Sequence, residues 1–219
     1  MSLPSPGHRI HDVSLSIGRE TLVWPGDPPI EVTPKLRIAA GDPANVSELR
    51  LGTHSGTHVD PPVHFIDGAP TIDVLSLERV VGEAVVADLR WANGPIGPED
   101  LEGLGLAPSV SRLLLRTSNS SLWRSPPVAF PDHYACLSPA GAKWVVDRGI
   151  RLVGIDFLSI EERGAAGHPV HHLLLENDVI IVEGLDLGEV DPGPYTFICT
   201  PLKILDGDGG PARAALIEP

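Results

Sequence analysis

The strongest constraint on how this chain can fold is the scatter of its breakers. Twenty-three glycines and 23 prolines fall among short apolar runs across 219 residues, with no period. Proline fixes φ and removes a backbone donor, and glycine lets the chain turn either way, so a chain interrupted this often folds through many turns. The expectation is a loop-rich α/β protein and not a repeat array. The length allows one substantial domain with a sizeable core, and no linker of disordered composition divides it, so residues 1–219 read as a single domain.

The formal net charge is −13. Such an excess disfavours a nucleic-acid groove or an anionic membrane surface as partner and leaves a small molecule as the expected ligand. The two cysteines, Cys136 and Cys199, lie far apart with no CxxC partner and sit beside apolar or small residues, which reads as buried free thiols. Residues 1–7 lack a basic region followed by an apolar core, and no apolar run is long enough to span a bilayer, so a cytoplasmic protein is expected.

Val13, Leu15 and Ile17 alternate with serines and predict a half-buried first strand. The run from Trp24 to Pro29 breaks the chain. Ile30, Val32, Leu36 and Ile38 suggest further extended structure interrupted at Pro34, and Leu49 and Leu51 lead a strand onward; Glu83 to Leu89 is another. Arg112 to Thr117 has the length of a buried strand, Ser138 and Pro139 look like the N-cap and first position of a helix that stops at Gly149, and Ile150 to Asp156 follows as a second buried strand. That strand, helix, strand unit has parallel character. Val179 to Val182 is a third such strand, and Tyr195 to Leu205 and Ala212 to Ile217 flank a hairpin turn at Asp206 to Gly210.

The segment His54 to His64 places three imidazoles and one carboxylate, Asp60, within eleven residues. His54 and His58 have the spacing of one helical face, but Gly56, Thr57 and the Pro61-Pro62 pair argue against a helix. In an extended chain residues 54, 58, 60 and 64, all even-numbered, point to one side. Two prolines and a glycine oppose a plain ladder strand, so the expected host is a stiff, kinked loop leaving a sheet. Clustered histidine and aspartate at this spacing reads as a metal site. Two histidines and one aspartate leave a divalent ion short of ligands, and the candidates for the rest are His168, His171, His172 and Glu183. A carboxylate closing a run of four β-branched residues is costly to desolvate unless a cation or a set of donors meets it. The alternative for Glu183 is a strand-end carboxylate, partly exposed or paired with an arginine.

The run His54-Ser55-Gly56-Thr57-His58-Val59-Asp60-Pro61-Pro62-Val63-His64 resembles the HxGTHxDxPxH signature of the cyclase-like metal hydrolases, the family of bacterial kynurenine formamidases and isatin hydrolases. The similarity extends to Trp24-Pro25-Gly26-Asp27, to Gly154-Ile155-Asp156 with Ser159, to the spacing of His171 and Glu183, to Pro201-Leu202-Lys203 and to Pro211-Ala212-Arg213-Ala214. The resemblance implies that His54, His58 and Asp60 hold one metal ion, and that Asp60, His171 and Glu183 hold a second, Asp60 and Glu183 being able to bridge. It implies that His64 is the catalytic acid/base and that Trp24 lines the substrate pocket. It further implies a single mixed α/β domain of the swivelling β/β/α, barrel-like type, assembled as a dimer or tetramer. Residues 118–124 are where substrate-facing loop variation is expected.

The ligand set and the implied chemistry agree. Two cations sharing a carboxylate lower the pKa of bound water from about 15.7 towards about 7 and polarise a carbonyl oxygen, while a nearby imidazole takes the water proton and delivers it to a leaving nitrogen. His and carboxylate ligands without thiolate suit zinc first and manganese second. No Gly-x-Ser-x-Gly elbow is present to support a serine nucleophile. The ligand set points to metal-dependent amide hydrolysis, and the resemblance implies an aryl formamide, N-formylkynurenine, as substrate; the alternatives are opening of a cyclic amide such as isatin, or a non-catalytic protein that binds metal or a small molecule.

Overall fold

The structure is a computed structural model that describes residues 8–124 and 130–219; the reading of residues 1–7 lies outside the described residues. Its strands are β1 (Ile10–Asp12), β2 (Glu31–Leu36), β3 (Val46–Arg50), β4 (His58–Asp60), β5 (Val81–Leu89), β6 (Pro95–Ile96), β7 (Arg112–Thr117), β8 (Cys136–Leu137), β9 (Leu152–Ile155), β10 (Ile180–Glu183), β11 (Gly193–Pro201) and β12 (Gly210–Ile217). Five short α-helices accompany them among the described residues: α1 (Leu77–Val80), α2 (Pro98–Glu102), α3 (Ser120–Arg124), α4 (Pro139–Asp147) and α5 (Pro169–Glu176). None of the described helices is long and apolar enough to cross a membrane.

Eight strands form one mixed sheet in the order β1-β12-β11-β5-β7-β9-β10-β4, and β4 also pairs with β12, so the sheet closes on itself. β5, β7, β9 and β10 run parallel, and the pairings through β11, β12 and β4 are antiparallel. Two apolar clusters use the two faces of this ring. Val59, Val86, Leu114, Leu152, Ile180, Val182, Phe197 and Leu216 share its inside. Their alternates Ala87, Leu113, Leu115, Val153 and Ile181 face outward onto Ala142 and Val145 of α4 and Val170, Leu174 and Leu175 of α5. The period of two along each strand sorts the residues between these layers.

The strand, helix, strand unit forms as expected. Ser138 caps α4 by accepting from the Gly141 backbone N–H at 3.0 Å, Pro139 opens the helix, and Gly149 ends it with φ +74°. β7 and β9 then lie side by side in parallel register. Cys136 and Cys199 are buried free thiols, and burial pushes the pKa of each up to about 12.

Four expectations need correction. The first strand covers Ile10–Asp12 in place of Val13 to Ile17, because β12 takes residues 10–12 as its partners and Ser14 makes only an isolated bridge to Leu185. The strand expected over Tyr195 to Leu205 begins at Gly193 and ends at Pro201, since proline and the turn beyond it offer no further ladder. Residues 120–124 are helix α3 and not a loop: Asp156 accepts from the Ser120 hydroxyl at 2.5 Å and from the Thr117 backbone and hydroxyl at 2.8 and 2.6 Å, pinning the start of that helix to the ends of β7 and β9. Finally, His58 and Asp60 lie on a short strand rather than in a loop, because Pro61 stops the ladder only after β4 has paired on both sides.

Candidate metal centre

β4 is the seam of the ring, and the candidate site is built on it. In the antiparallel pairing with β10, His58 stands opposite Glu183 and Val59 opposite Val182. Val59 and Val182 point inside the ring, so His58, Asp60 and Glu183 point together to the outer face, where α5 packs. The seam closes tightly: a Cβ on Gly184, whose φ is +68°, would lie 2.2 Å from the Gly56 carbonyl oxygen. Thr57 adds a bolt, its hydroxyl donating to the Gly184 carbonyl. After Asp60, Pro61 and Pro62 turn the chain into a single 3-10 turn over Pro62–His64. That turn returns His64 over His54, the two rings stacked with centroids 3.8 Å apart. Gly209 leaves room for His54, since a Cβ there would meet the imidazole at 2.5 Å.

The seam brings all five expected ligands together. His54 Nδ1 donates to Asp60 Oδ1 at 2.9 Å, and His58 Nε2 lies 3.4 Å from the same oxygen and 3.5 Å from Glu183 Oε2. His58 Nδ1 donates to the Gly56 carbonyl, which leaves Nε2 as the nitrogen facing the carboxylates. His171 reaches in from α5, its Nε2 3.5 Å from Glu183 Oε1. Donor atoms of His58, Asp60 and Glu183 lie within 4.8 Å of one another, as do those of His54, Asp60 and His64, and those of Glu161, His168 and His171. Asp60 thus belongs to two groupings, one of which includes His64.

Two other candidates stay outside. His172 is turned to Glu176 on the exposed side of α5, and His168 sits on the rim with its side chain half exposed. Trp24 lines the adjoining cavity of about 170 Å³, together with His64, Phe65, Leu158 and Ser159. It also packs edge-on against Phe130. Sequence reasoning passed over Phe65, whose ring lies against His171 with centroids 4.3 Å apart, and Glu161, which accepts from His171 Nδ1 at 2.7 Å. Nothing in the sequence separates buried Glu161 from its exposed neighbour Glu162; the aromatic residue directly after His64 was the one visible signal for Phe65.

The electrostatics are those of a concentrated anionic centre wrapped in imidazoles. Burial raises the pKa of Asp60, but the surrounding His64, His54 and His58 imidazoles, His54 through a hydrogen bond as well, overcome it and hold it well below the carboxylate range. Glu183 is likewise lowered: burial and the Asp60 charge oppose ionisation, and His171 and His58 prevail. Burial works against the charged form of His58, yet Glu183 and Asp60 raise its pKa to about 9. The same competition, won by Glu161 and Glu183, raises His171 to about 10. His64 goes the other way: burial, reinforced by His54 and His171, outweighs the Asp60 and Glu183 charges and lowers it to about 4.

The donor set fits a cation. His54 Nε2 and Asp60 Oδ2 are buried and have no hydrogen-bond partner among the described residues. A buried polar atom left unpaired costs on the order of 1–3 kcal/mol, and more for a charged group. Two carboxylates with relative exposures of 0% and 3%, on paired strands and both beside His58, need positive charge between them.

Comparisons with known proteins show the family to which the chain belongs. The family model described as Putative cyclase matches residues 11–162. A protein named kynurenine formamidase from Salinibacter ruber (strain DSM 13855 / M31) is 39% identical over 207 residues, covering 94% of this chain and 95% of the relative. Another of that name, from Bordetella pertussis (strain Tohama I / ATCC BAA-589 / NCTC 13251), is 32% identical and covers 96% of this chain and 98% of its own. A solved structure described as a potential metal-dependent hydrolase with cyclase activity superposes with TM-score 0.83 at 32% identity, covering 97% of this chain and all of the other. Isatin hydrolase A from Ralstonia solanacearum shares the fold, with TM-score 0.85 at 21% identity over 97% of this chain and 92% of the other.

Proposed function

Because this chain belongs to the putative cyclase family, we propose that it is a metal-dependent amidohydrolase that cleaves the C–N bond of a small aryl formamide, N-formylkynurenine, to kynurenine and formate. One observation carries the reading: two buried carboxylates, Asp60 and Glu183, are shared among imidazoles at the seam of the ring, with two ligand atoms left unpaired. His54, His58 and Asp60 would hold one divalent ion and Asp60, His171 and Glu183 a second, zinc or manganese by the hardness of the donors. When bound, such a pair of ions acidifies a water molecule and polarises the formyl carbonyl.

The chain's own residues supply the rest. His64 has a pKa lowered to about 4 and so stands neutral near pH 7, able to accept the proton of the attacking water. As the water oxygen bonds to the formyl carbon and the C–N bond breaks, His64 passes that proton to the departing aryl nitrogen. Trp24 and Phe65 line the cavity and give it an aromatic wall for a flat ring. At about 170 Å³ the cavity is smaller than the roughly 300–1,000 Å³ of sites for drug-sized ligands, which suits an aryl formamide head with its remaining atoms at the mouth.

Residues 1–219 would act as one domain, and a homodimer or tetramer as the working assembly. The β2–β3 hairpin supports the latter, because Val32, Leu36, Val46 and Leu49 are exposed on it and an isolated two-stranded hairpin is marginal in water.

A second reading has a specific observation behind it. His64 shares a ligand grouping with His54 and Asp60, so it could bind metal instead of moving protons. Turnover measured on metal-reconstituted protein tests the function directly, using a panel of aryl formamides and cyclic amides. Rapid loss of N-formylkynurenine absorbance is the expected result. Turnover of isatin-type rings alone would replace the substrate, and no turnover at full metal occupancy would reduce the protein to a binder.

A further inference from the structure

Among the described residues, two buried carboxylates lie outside the ligand assignment: Asp156, which pins the start of α3, and Glu161, which has no role so far. Glu161 has a relative exposure of 2% and lies outside the His54 to His64 run. Its Oε1 accepts from the Val170 backbone N–H at 2.6 Å, and its Oε2 accepts from His171 Nδ1 at 2.7 Å. The same imidazole lies nearly flat on Phe65, with 23° between the planes, while its other nitrogen, Nε2, faces Glu183. One contact therefore fixes the plane of the ring and another fixes which edge points inward.

We propose that Glu161 is the positioning residue for His171: its carboxylate holds the Nδ1 proton and so presents the Nε2 lone pair to the second cation position. This rests on the two-ion reading above. A neutral imidazole carries one proton, and the nitrogen held by an acceptor keeps it, so the partner of Nδ1 decides whether Nε2 can ligate.

A carboxylate suits this place because two donors, Val170 N–H and His171 Nδ1–H, converge on it and both of its oxygens accept. Glutamine has one oxygen and one NH2. The backbone N–H of Val170 cannot become an acceptor, so it claims the amide oxygen and the NH2 turns on His171. The ring then keeps its lone pair on Nδ1 and carries its proton on Nε2, the nitrogen facing Glu183. His168 Nδ1 stands 3.4 Å from Glu161 Oε2, but its side chain is 53% exposed and it belongs to the rim.

The test is a titration of metal-free protein with Zn2+ alone against a competing chelator, paired with long-range 1H–15N spectra of histidine-labelled, zinc-loaded protein. Wild type is expected to bind two ions, with His171 protonated at Nδ1. Glu161→Gln is expected to bind one of the two ions about 10- to 100-fold more weakly, to leave the other unchanged and to lose the Nδ1-protonated pattern. Glu161→Asp keeps two accepting oxygens and is expected to recover part of the affinity, which a general loss of packing would not restore. Unchanged affinity for both ions in Glu161→Gln overturns the proposal. So does loss of an ion in His168→Asn matching that in Glu161→Gln, because Glu161 would then be a ligand itself. If wild type binds no divalent ion, the two-ion reading falls and the positioning role falls with it, an outcome distinct from failure in the variant alone.

Discussion

His64 is the residue on which the proposed chemistry turns, and its surroundings separate the two roles open to it. It is half-buried against His54, and burial keeps it neutral at working pH. If it moves the proton, His64→Ala should lower kcat by about 100- to 10,000-fold while metal occupancy, counted by atomic emission, stays near wild type. Parallel loss of metal and activity would make it a ligand. His58 and His171 support a prediction of opposite electrostatic sign. Their pKa values are raised to about 9 and about 10 from an unfolded value of about 6.5, by carboxylates that overcome burial. A raised folded pKa stabilises the fold fully below the unfolded pKa, and that stabilisation disappears as pH climbs through the folded one. Metal-free protein should therefore melt at progressively lower temperature between about pH 6.5 and 10, whereas zinc-loaded protein, whose ligating imidazoles are neutral, should not share that decline. Calorimetry across this range checks it, and a flat metal-free profile would refute the charged imidazoles. In acid the loaded protein should release its ions, because ligands must be deprotonated to bind.

At the scale of elements, the site is an agreement between β4, β10 and α5, and substitutions divide it by element. Glu183→Gln on β10 removes the charge that faces both His58 and His171, and it should cost at least one ion and most activity. His171→Ala on α5 should empty one position and His54→Ala, before β4, the other. Wild-type metal and turnover in both Glu183→Gln and His171→Ala would dismantle the two-segment site. These elements were unequally legible in the sequence. β7, α4 and β9 could be read with near-correct bounds because each has a local boundary marker: a charged residue beside an apolar run, a Ser-Pro cap, a terminal glycine. The one-sided placement of His58 and Asp60 was legible because it follows from a period of two. β1 was misplaced because Val13, Leu15 and Ile17 carry the alternation, while the partner strand that decides pairing lies some 200 residues away. Glu161 was invisible for a similar reason: its meaning depends on two donors, Val170 N–H and His171 Nδ1–H, that only α5 brings to it.

The whole molecule is a ring whose last seam is also its proposed metal centre, and that coincidence has a mechanical consequence. β4 has three residues, yet it must pair with β10 on one side and β12 on the other to close the sheet. Such a short strand offers few ladder bonds, and its two outward side chains are Asp60, which carries the same charge as Glu183, and His58, instead of apolar residues that could hold it by packing. Ions bound between Asp60, Glu183 and the imidazoles would therefore clamp β4 to β10 and, through His171, to α5. Binding to the folded form alone stabilises it by RT ln(1 + [L]/Kd), about 4 kcal/mol when free metal is a thousandfold above Kd. The gain should be unevenly spread. Hydrogen exchange of metal-free protein is expected to accelerate at the amides of β4, at the end of β10 and at the start of β12, while β5, β7 and β9, held in the parallel centre of the sheet between two apolar layers, keep their protection. Adding Zn2+ should restore the seam and leave the centre unchanged. Uniform loss of protection on chelation would mean that the ions support the fold globally, and no change at β4 would mean that they do not bind across the seam at all.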